Sequence, residues 1–217
     1  MTRHNIFITG GTGYLGQALI PRLLERGHTV RALARPGSEH KLPPGCEAIP
    51  GNALDGTSFA GRVAPSDTFI QLVGVPHPSP AKAKQFREID LVSALAGIAA
   101  AKSADVKHFV YVSIAQPAPM MKAYQAVRAE AESSLRATGM NATVLRPWYI
   151  LGPGHWWPYL ILPGYWICEA LPATRDSAKR LGLVSLRQMI AALVLAVEQP
   201  ATGTAIVDVP RIRQARI

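Results

Sequence analysis

Residues 5–16 read NIFITGGTGYLG. Ile6, Phe7 and Ile8 make a short apolar run, long enough for a strand buried on both faces. The run breaks at Thr9-Gly10-Gly11-Thr12-Gly13, where the chain must turn sharply. Leu15, Leu19, Leu23 and Leu24 then recur at helical spacing until Gly27 stops the helix. Strand, glycine turn and helix in direct succession form the phosphate-cradling half of a dinucleotide site. Glycines let the backbone approach a pyrophosphate, and the helix start offers free N–H groups and a partial positive charge. Two registers fit, Gly11-x-Gly13-x-x-Gly16 and Gly10-x-x-Gly13-x-x-Gly16. The expected cofactor contacts here are Gly10, Thr12, Gly13, Tyr14, Leu15 and Gly16.

Outward from this element, strands and helices alternate. Residues 28–33 (HTVRAL) read as the second strand, where a dinucleotide fold recognises the adenosine ribose. An NAD site places a carboxylate there, but this chain offers Arg31 and Arg35, with no acid until Glu39. A guanidinium fork suits a 2′-phosphate, so NADP(H) is expected over NAD(H). A strand at 47–49 leads to Asn52 and Ala53, and Asp55 before Thr57 and Ser58 reads as the cap of a short helix. Residues 68–73 (TFIQLV) are the next strand, with Val73 and Gly74 at its cofactor end. A stiff loop, residues 76–80, carries His77 as a candidate substrate contact. An alanine-rich helix spans 86–102, and the strand 107–113 ends in Ser113. The next helix carries Tyr124, Arg128 and Glu132 at four-residue intervals, hence on one face. A strand at 141–146, an irregular Trp- and Pro-rich stretch at 155–172, the segment 180–184, a helix at 186–198 and a strand at 205–209 follow. The pattern predicts one α/β domain over residues 1–217, a doubly wound parallel Rossmann-type sheet. Residues 147–185 form its small C-terminal substrate-pocket and lid region.

Composition narrows the function classes. A chain of 217 residues with 48% hydrophobic and 17% charged residues has the means to bury one sizeable core. Cys46 and Cys168 are isolated and lack metal-ligand spacing, which fits a reducing, cytoplasmic setting without a metal. No signal peptide is expected, since the first strand begins within a few residues of Met1. No apolar run reaches the ~18 residues of a membrane span, so stable membrane insertion is not expected. The formal charge of +9 is scattered, without the dense basic run or aromatic interleaving of a nucleic-acid binder.

Several motifs appear in order: Thr9 to Gly16, Arg31, the strand end at Gly74, Tyr111-Val112-Ser113, Tyr124 with a basic residue four later, Leu145-Arg146-Pro147 and Gly152-Pro153-Gly154. In these the sequence resembles the atypical short-chain dehydrogenase/reductases, the NAD(P)-binding group that includes NmrA-like and epimerase-like proteins, over nearly the whole chain. The resemblance implies a catalytic set. Ser113 polarises the substrate oxygen and Tyr124 is the general acid/base. Arg128 stands where the superfamily has a lysine that supports the phenol and holds the nicotinamide ribose. Arginine supplies the charge but cannot relay a proton. Asn52 stands where an aspartate often meets the adenine amine, and Asp90 where asparagine is common. Trp148, His155 and Trp156 are candidate pocket walls with His77, and aromatic walls suit an apolar substrate. The same aromatics alternatively form a subdomain core, a dimer contact or, over residues 156–166, a membrane-facing patch.

The leading expectation is an NADP(H)-dependent oxidoreductase, monomeric or homodimeric, acting on a small, largely apolar carbonyl or alcohol. Its alternative is a cofactor-binding sensor or assembly scaffold without turnover, an alternative that Arg128 favours.

Overall fold

The structure is a computed structural model that describes residues 2–153, 172 and 175–217. In chain order its strands are β1 (Asn5–Thr9), β2 (Thr29–Ala34), β3 (Glu47–Pro50), β4 (Thr68–Gln71), β5 (His108–Val112), β6 (Asn141–Leu145), β7 (Tyr149–Leu151), β8 (Leu183–Ser185) and β9 (Thr204–Val207). The main sheet has the order β3-β2-β1-β4-β5-β6-β9, every pairing parallel, and β7 pairs with β8 in a small second sheet. The strand order reverses beside β1, where a doubly wound sheet opens a crevice for a ligand. The helices are α1 (Tyr14–Glu25), α2 (Ala83–Gln85), α3 (Val92–Ser103), α4 (Lys122–Ala137), α5 (Arg175–Arg180), α6 (Leu186–Glu198) and α7 (Val209–Gln214).

Strand alternation splits the core in two. Ile6, Ile8, Ile70 and Val110 face one side, under Leu19 and Leu23 of α1 and Leu193 and Val197 of α6. Phe7, Phe69 and Phe109 face the other, under α3 and α4. These three phenylalanines lie in register on β1, β4 and β5, and stack with centroids 5.4 and 5.1 Å apart. The alanine-rich helix packs as its composition predicts: a Cβ on Gly97 would stand 3.2 Å from the Phe69 ring.

Two elements differ from the sequence expectation. The helix expected at 86–102 begins instead at Ala83 and contains a π turn, Phe86–Leu91, between α2 and α3. The segment 180–184, to which the sequence reading gave no element type, joins the end of α5 to the start of β8; Asp176 in the first turn of α5 and Lys179 and Arg180 in its last complement the helix dipole. The final strand stops at Val207, because Asp208 accepts from the Arg211 N–H and caps α7, with a proline in its first turn. The capping motif at the start of α6 is complete, with Ser185 and Gln188 serving each other's backbone N–H. Among the described residues no helix is long and apolar enough to cross a membrane.

Candidate cofactor and active site

The glycine turn lies between β1 and α1, and each glycine answers to a different demand. Gly10 has φ +78, and a Cβ there would lie 2.9 Å from the backbone of Leu72 and Val73. Gly16 brings α1 onto the turn, where a Cβ would stand 2.5 Å from Gly11. Gly13 is exposed, and a Cβ on it would meet only the Gly10 carbonyl oxygen, at 3.2 Å. Gly13 is also the N-cap of α1, with no side chain capping the helix and no acid in its first turn. The N–H groups of the first helical turn therefore face an open approach over Gly13. That is the donor set and the room that a pyrophosphate requires. Tyr14 closes one side: its hydroxyl packs so tightly on Gly152 that a Cβ there would fall 1.9 Å from it. Leu15 and Leu72 lean on the core instead.

At the ribose end Arg31 has partners within the protein. Arg31 sits in the middle of β2, opposite Glu47, rather than at the strand's C-terminal end. Its guanidinium donates to Glu47 at 3.3 Å and to the carbonyls of Arg62 and Ala64, each at 2.8 Å. It is spent on holding β3 and the 60–64 turn. Arg35 is the first residue beyond β2, exposed, and level with the end of β3 through the Gly51 N–H to Ala34 carbonyl bond. Asn52 is exposed nearby, and its side-chain oxygen accepts from the Leu54 N–H at 3.1 Å. Ala53 is half-buried beside it.

The residues expected to act together lie on one side of the sheet, but their hydrogen bonds run elsewhere than the resemblance implies. Tyr124 and Arg128 share a face of α4, as their spacing predicts, and Arg128 Nη2 donates to Tyr124 Oη at 2.8 Å. The same Nη2 donates to Asp90 Oδ1, while Nη1 donates to Tyr111 Oη at 3.2 Å and to the Val112 carbonyl at 3.0 Å. Arg128 is buried, and among the described residues its Nε–H has no partner. The Nε–H is itself buried, so a ribose hydroxyl is met by Arg128 only if one of these bonds is given up. Burial alone would lower the Arg128 pKa, but the two phenols and Asp90 outweigh it and raise it, so the guanidinium is permanently charged. Burial pushes the Asp90 carboxyl up, against the pull of Arg128 and of the Val75 N–H at 3.1 Å. Burial likewise raises the Tyr111 phenol. Gly74 is needed here for space, since a Cβ would stand 2.7 Å from Arg128 Nη2. Lys122, on another face, donates to the Ala118 carbonyl and takes no part.

Ser113 is buried at the end of β5, and its hydroxyl donates to Glu132 Oε1 at 2.7 Å. Oε1 also takes Gln116 Nε2 at 2.9 Å and Arg146 Nε at 3.0 Å, while Oε2 takes Arg136 and the second nitrogen of Arg146. Among the described residues no hydrogen bond joins Ser113 to Tyr124. The sequence motifs contain Asp90, Tyr111 and Arg146 without a role for them, and Gln116 lies in none. The one available signal was a buried-face carboxylate at Asp90 opposite an arginine where the superfamily has lysine.

Of the expected pocket residues, Trp148 is half-buried against the α1–α6 core, and His77 is exposed in a left-handed conformation, φ 49. His155 and Trp156 lie outside the described residues, as do most of the 147–185 lid region and Cys168. Cys46 is half-buried, and burial pushes its thiol up to about 11, away from nucleophilic use.

A parallel sheet wound on both faces, with a glycine turn and an uncapped helix start at its strand ends, defines a Rossmann-type dinucleotide-binding protein. The family model described as NAD(P)H-binding matches residues 10–153, and the chain belongs to that family. It is 26% identical over 151 residues to a ceramide reductase of Caulobacter vibrioides, across 69% of this chain and 47% of that protein. It is also 26% identical over 168 residues to a ketoreductase of Stigmatella aurantiaca that acts on a 4-hydroxy-2-methyl-3-oxo-4-farnesyl-3,4-dihydroquinoline-1-oxide, across 67% of this chain and 50% of that protein. The chain thus spans about half the length of these curated relatives. Among solved structures, the Bordetella bronchiseptica enzyme WbmH in complex with NAD+ superposes with a TM-score of 0.70 at 19% identity, covering 94% of this chain and 75% of that one.

Proposed function

We propose that this protein is an NADP(H)-dependent oxidoreductase that reduces a small, largely apolar carbonyl compound or oxidises the matching alcohol. The observation that carries the reading is the 2.8 Å bond from Arg128 Nη2 to Tyr124 Oη. It puts a fixed cation on the phenol that serves as proton donor, as general acid catalysis requires. A bound nicotinamide supplies or accepts the hydride, and the chain supplies the rest. The N–H groups behind Gly13 hold the pyrophosphate, and Arg35 takes the 2′-phosphate in place of Arg31. Asn52 and Ala53 line the adenine, Val73 and Gly74 the nicotinamide half, and Arg128 meets the ribose by giving up one of its bonds to protein acceptors. In reduction, Tyr124 gives its hydroxyl proton to the substrate oxygen, and the phenolate left behind is stabilised by Arg128 until water reprotonates it.

Ser113 orients the substrate oxygen, and its bond to Glu132 does not forbid this. Glu132 Oε1 accepts three hydrogens with two lone-pair sites, so one of its two neutral donors, Ser113 or Gln116, is in surplus, and Ser113 turns away without leaving that oxygen unpaired. The reductase and ketoreductase among the relatives support a carbonyl substrate with apolar substituents. Trp148, with His77, His155 and Trp156, is the proposed pocket lining.

Two observations favour a second reading, a cofactor-binding sensor or scaffold without turnover. All four terminal N–H groups of Arg128 are spent on protein acceptors, and the Ser113 hydrogen is spent on Glu132. NADPH oxidation measured across a panel of apolar ketones and aldehydes separates the two. The enzyme reading expects turnover that falls ~10²-fold or more in Tyr124→Phe with NADPH affinity unchanged. Absence of turnover across the panel, with normal NADPH binding, leaves the second.

A further inference from the structure

Asp90 lies on the π turn before α3, is fully buried, and is anchored at both ends. Its carboxylate takes the Val75 N–H and Arg128 Nη2. Its backbone carbonyl accepts from Ser93 Oγ at 3.2 Å, which accepts from Gln71 Nε2 at 3.1 Å, and Gln71 Oε1 accepts from Thr9 at the mouth of the glycine turn. Thr9, Gln71 and Ser93 are themselves buried. Continuous hydrogen bonds therefore run from the glycine turn through Asp90 to Arg128 and Tyr124. A guanidinium only donates, so Tyr124 Oη must accept from Arg128, and the single phenolic hydrogen is left for another partner.

We infer that Asp90 is a positioning residue: it neutralises and orients Arg128, and through Arg128 it holds Tyr124 as an acceptor whose own proton is free to be given away. The inference rests on the reading of Tyr124 as proton donor. A guanidinium already matched by a carboxylate stabilises a phenolate less than a bare cation does. The charged and titratable groups facing Arg128 are Asp90 from the π turn, Tyr111 from β5 and Tyr124 from α4 itself. Glu132, one turn further along α4, is matched by Arg136 and Arg146.

The test is an ultraviolet titration of phenolate absorbance in the purified full chain, with and without Asp90→Asn, each repeated on a Tyr124→Phe background to assign the signal. Removing the carboxylate leaves Arg128 with only the phenols to compensate it. Phenolate assigned to Tyr124 is then expected about one pH unit or more lower in Asp90→Asn. A folded Asp90→Asn whose Tyr124 titration does not move overturns the inference. Should Asp90→Asn fail to fold, nitrogen-detected magnetic resonance of the arginine side chains in the unaltered protein decides. Separate, slowly exchanging Nη resonances for Arg128 support the inference, and one averaged signal overturns it. Neither measurement needs a substrate. A shifted titration beside a turnover indifferent to Tyr124→Phe would retain the positioning role and sink the enzyme reading. The reverse pattern would sink the positioning role alone.

Discussion

Ser113 Oγ donates to Glu132 Oε1 at 2.7 Å, onto an oxygen that Gln116 and Arg146 already occupy. The pair ties the end of β5 to α4, and it ranks the two residues. Glu132 is the buried anion between two arginines, whereas Ser113 is one donor of several. Glu132→Gln leaves Arg146 without its buried counter-ion and is expected to cost about 3 kcal/mol in a urea melt at neutral pH. Ser113→Ala is expected to cost about 1 kcal/mol or less while lowering turnover of a ketone substrate. Equal losses of stability would show that Ser113 is held for the network and is not available to a substrate.

In the proposed reading the choice between NADP(H) and NAD(H) falls to Arg35. Calorimetric titration is expected to show NADPH binding more tightly than NADH by about 1–3 kcal/mol. Arg35→Ala is expected to remove most of that difference. Arg31→Ala is expected to leave it standing and instead to lower thermal stability, since it unties β3 and the 60–64 turn. If Arg31→Ala abolishes the preference, the strand-middle guanidinium reaches the ligand after all.

At the opposite end of the sheet, His108 is buried against Thr143, and burial with nearby His4 pushes its pKa down to about 4 in spite of Asp67. His28 is lowered too, chiefly by burial, with Glu198 opposing. The unfolded chain takes up protons near pH 6.5 while the folded His108 waits until about 4. Stability is therefore full above pH 6.5 and declines as pH falls toward 4, by roughly 2–3 kcal/mol from His108. Urea unfolding at pH 7 and at pH 4.5 measures the decline. His108→Gln, which keeps a hydrogen-bonding group but no titration, is expected to flatten it, and an unchanged slope would assign the acid sensitivity elsewhere.

The fold was legible because its signals are local. The apolar run of β1, the glycine turn and the leucine spacing of α1 each stand within a dozen residues, and Asp55 caps its short helix by accepting the Thr57 N–H. The chemistry was only half legible because it is long-range. That Tyr124 and Arg128 meet follows from four-residue spacing on one helix. That Arg128 meets Asp90 across 38 residues, and that Glu132 gathers Ser113, Gln116 and Arg146, depends on how the π turn and the 114–119 loop fold against the sheet. Arg31 shows a related limit. Its chemistry suits a phosphate, but a side chain's place along a strand decides what it reaches, and register with Glu47 puts it mid-sheet. The two helices missed near the C-terminus were set by charge and capping rather than by apolar periodicity.

The account turns on a dinucleotide seated over Gly13, and one titration tests that most directly. Gly13 has φ −85 and ψ 177, which any residue adopts, so Gly13→Val is expected to remain folded by circular dichroism. Its branched side chain would fill the open approach to the α1 N-terminus. Calorimetric titration of NADPH into the native chain is expected to show one site per chain, and the same titration into Gly13→Val is expected to show none. Undiminished NADPH binding by a folded Gly13→Val would contradict the account and place the nucleotide elsewhere.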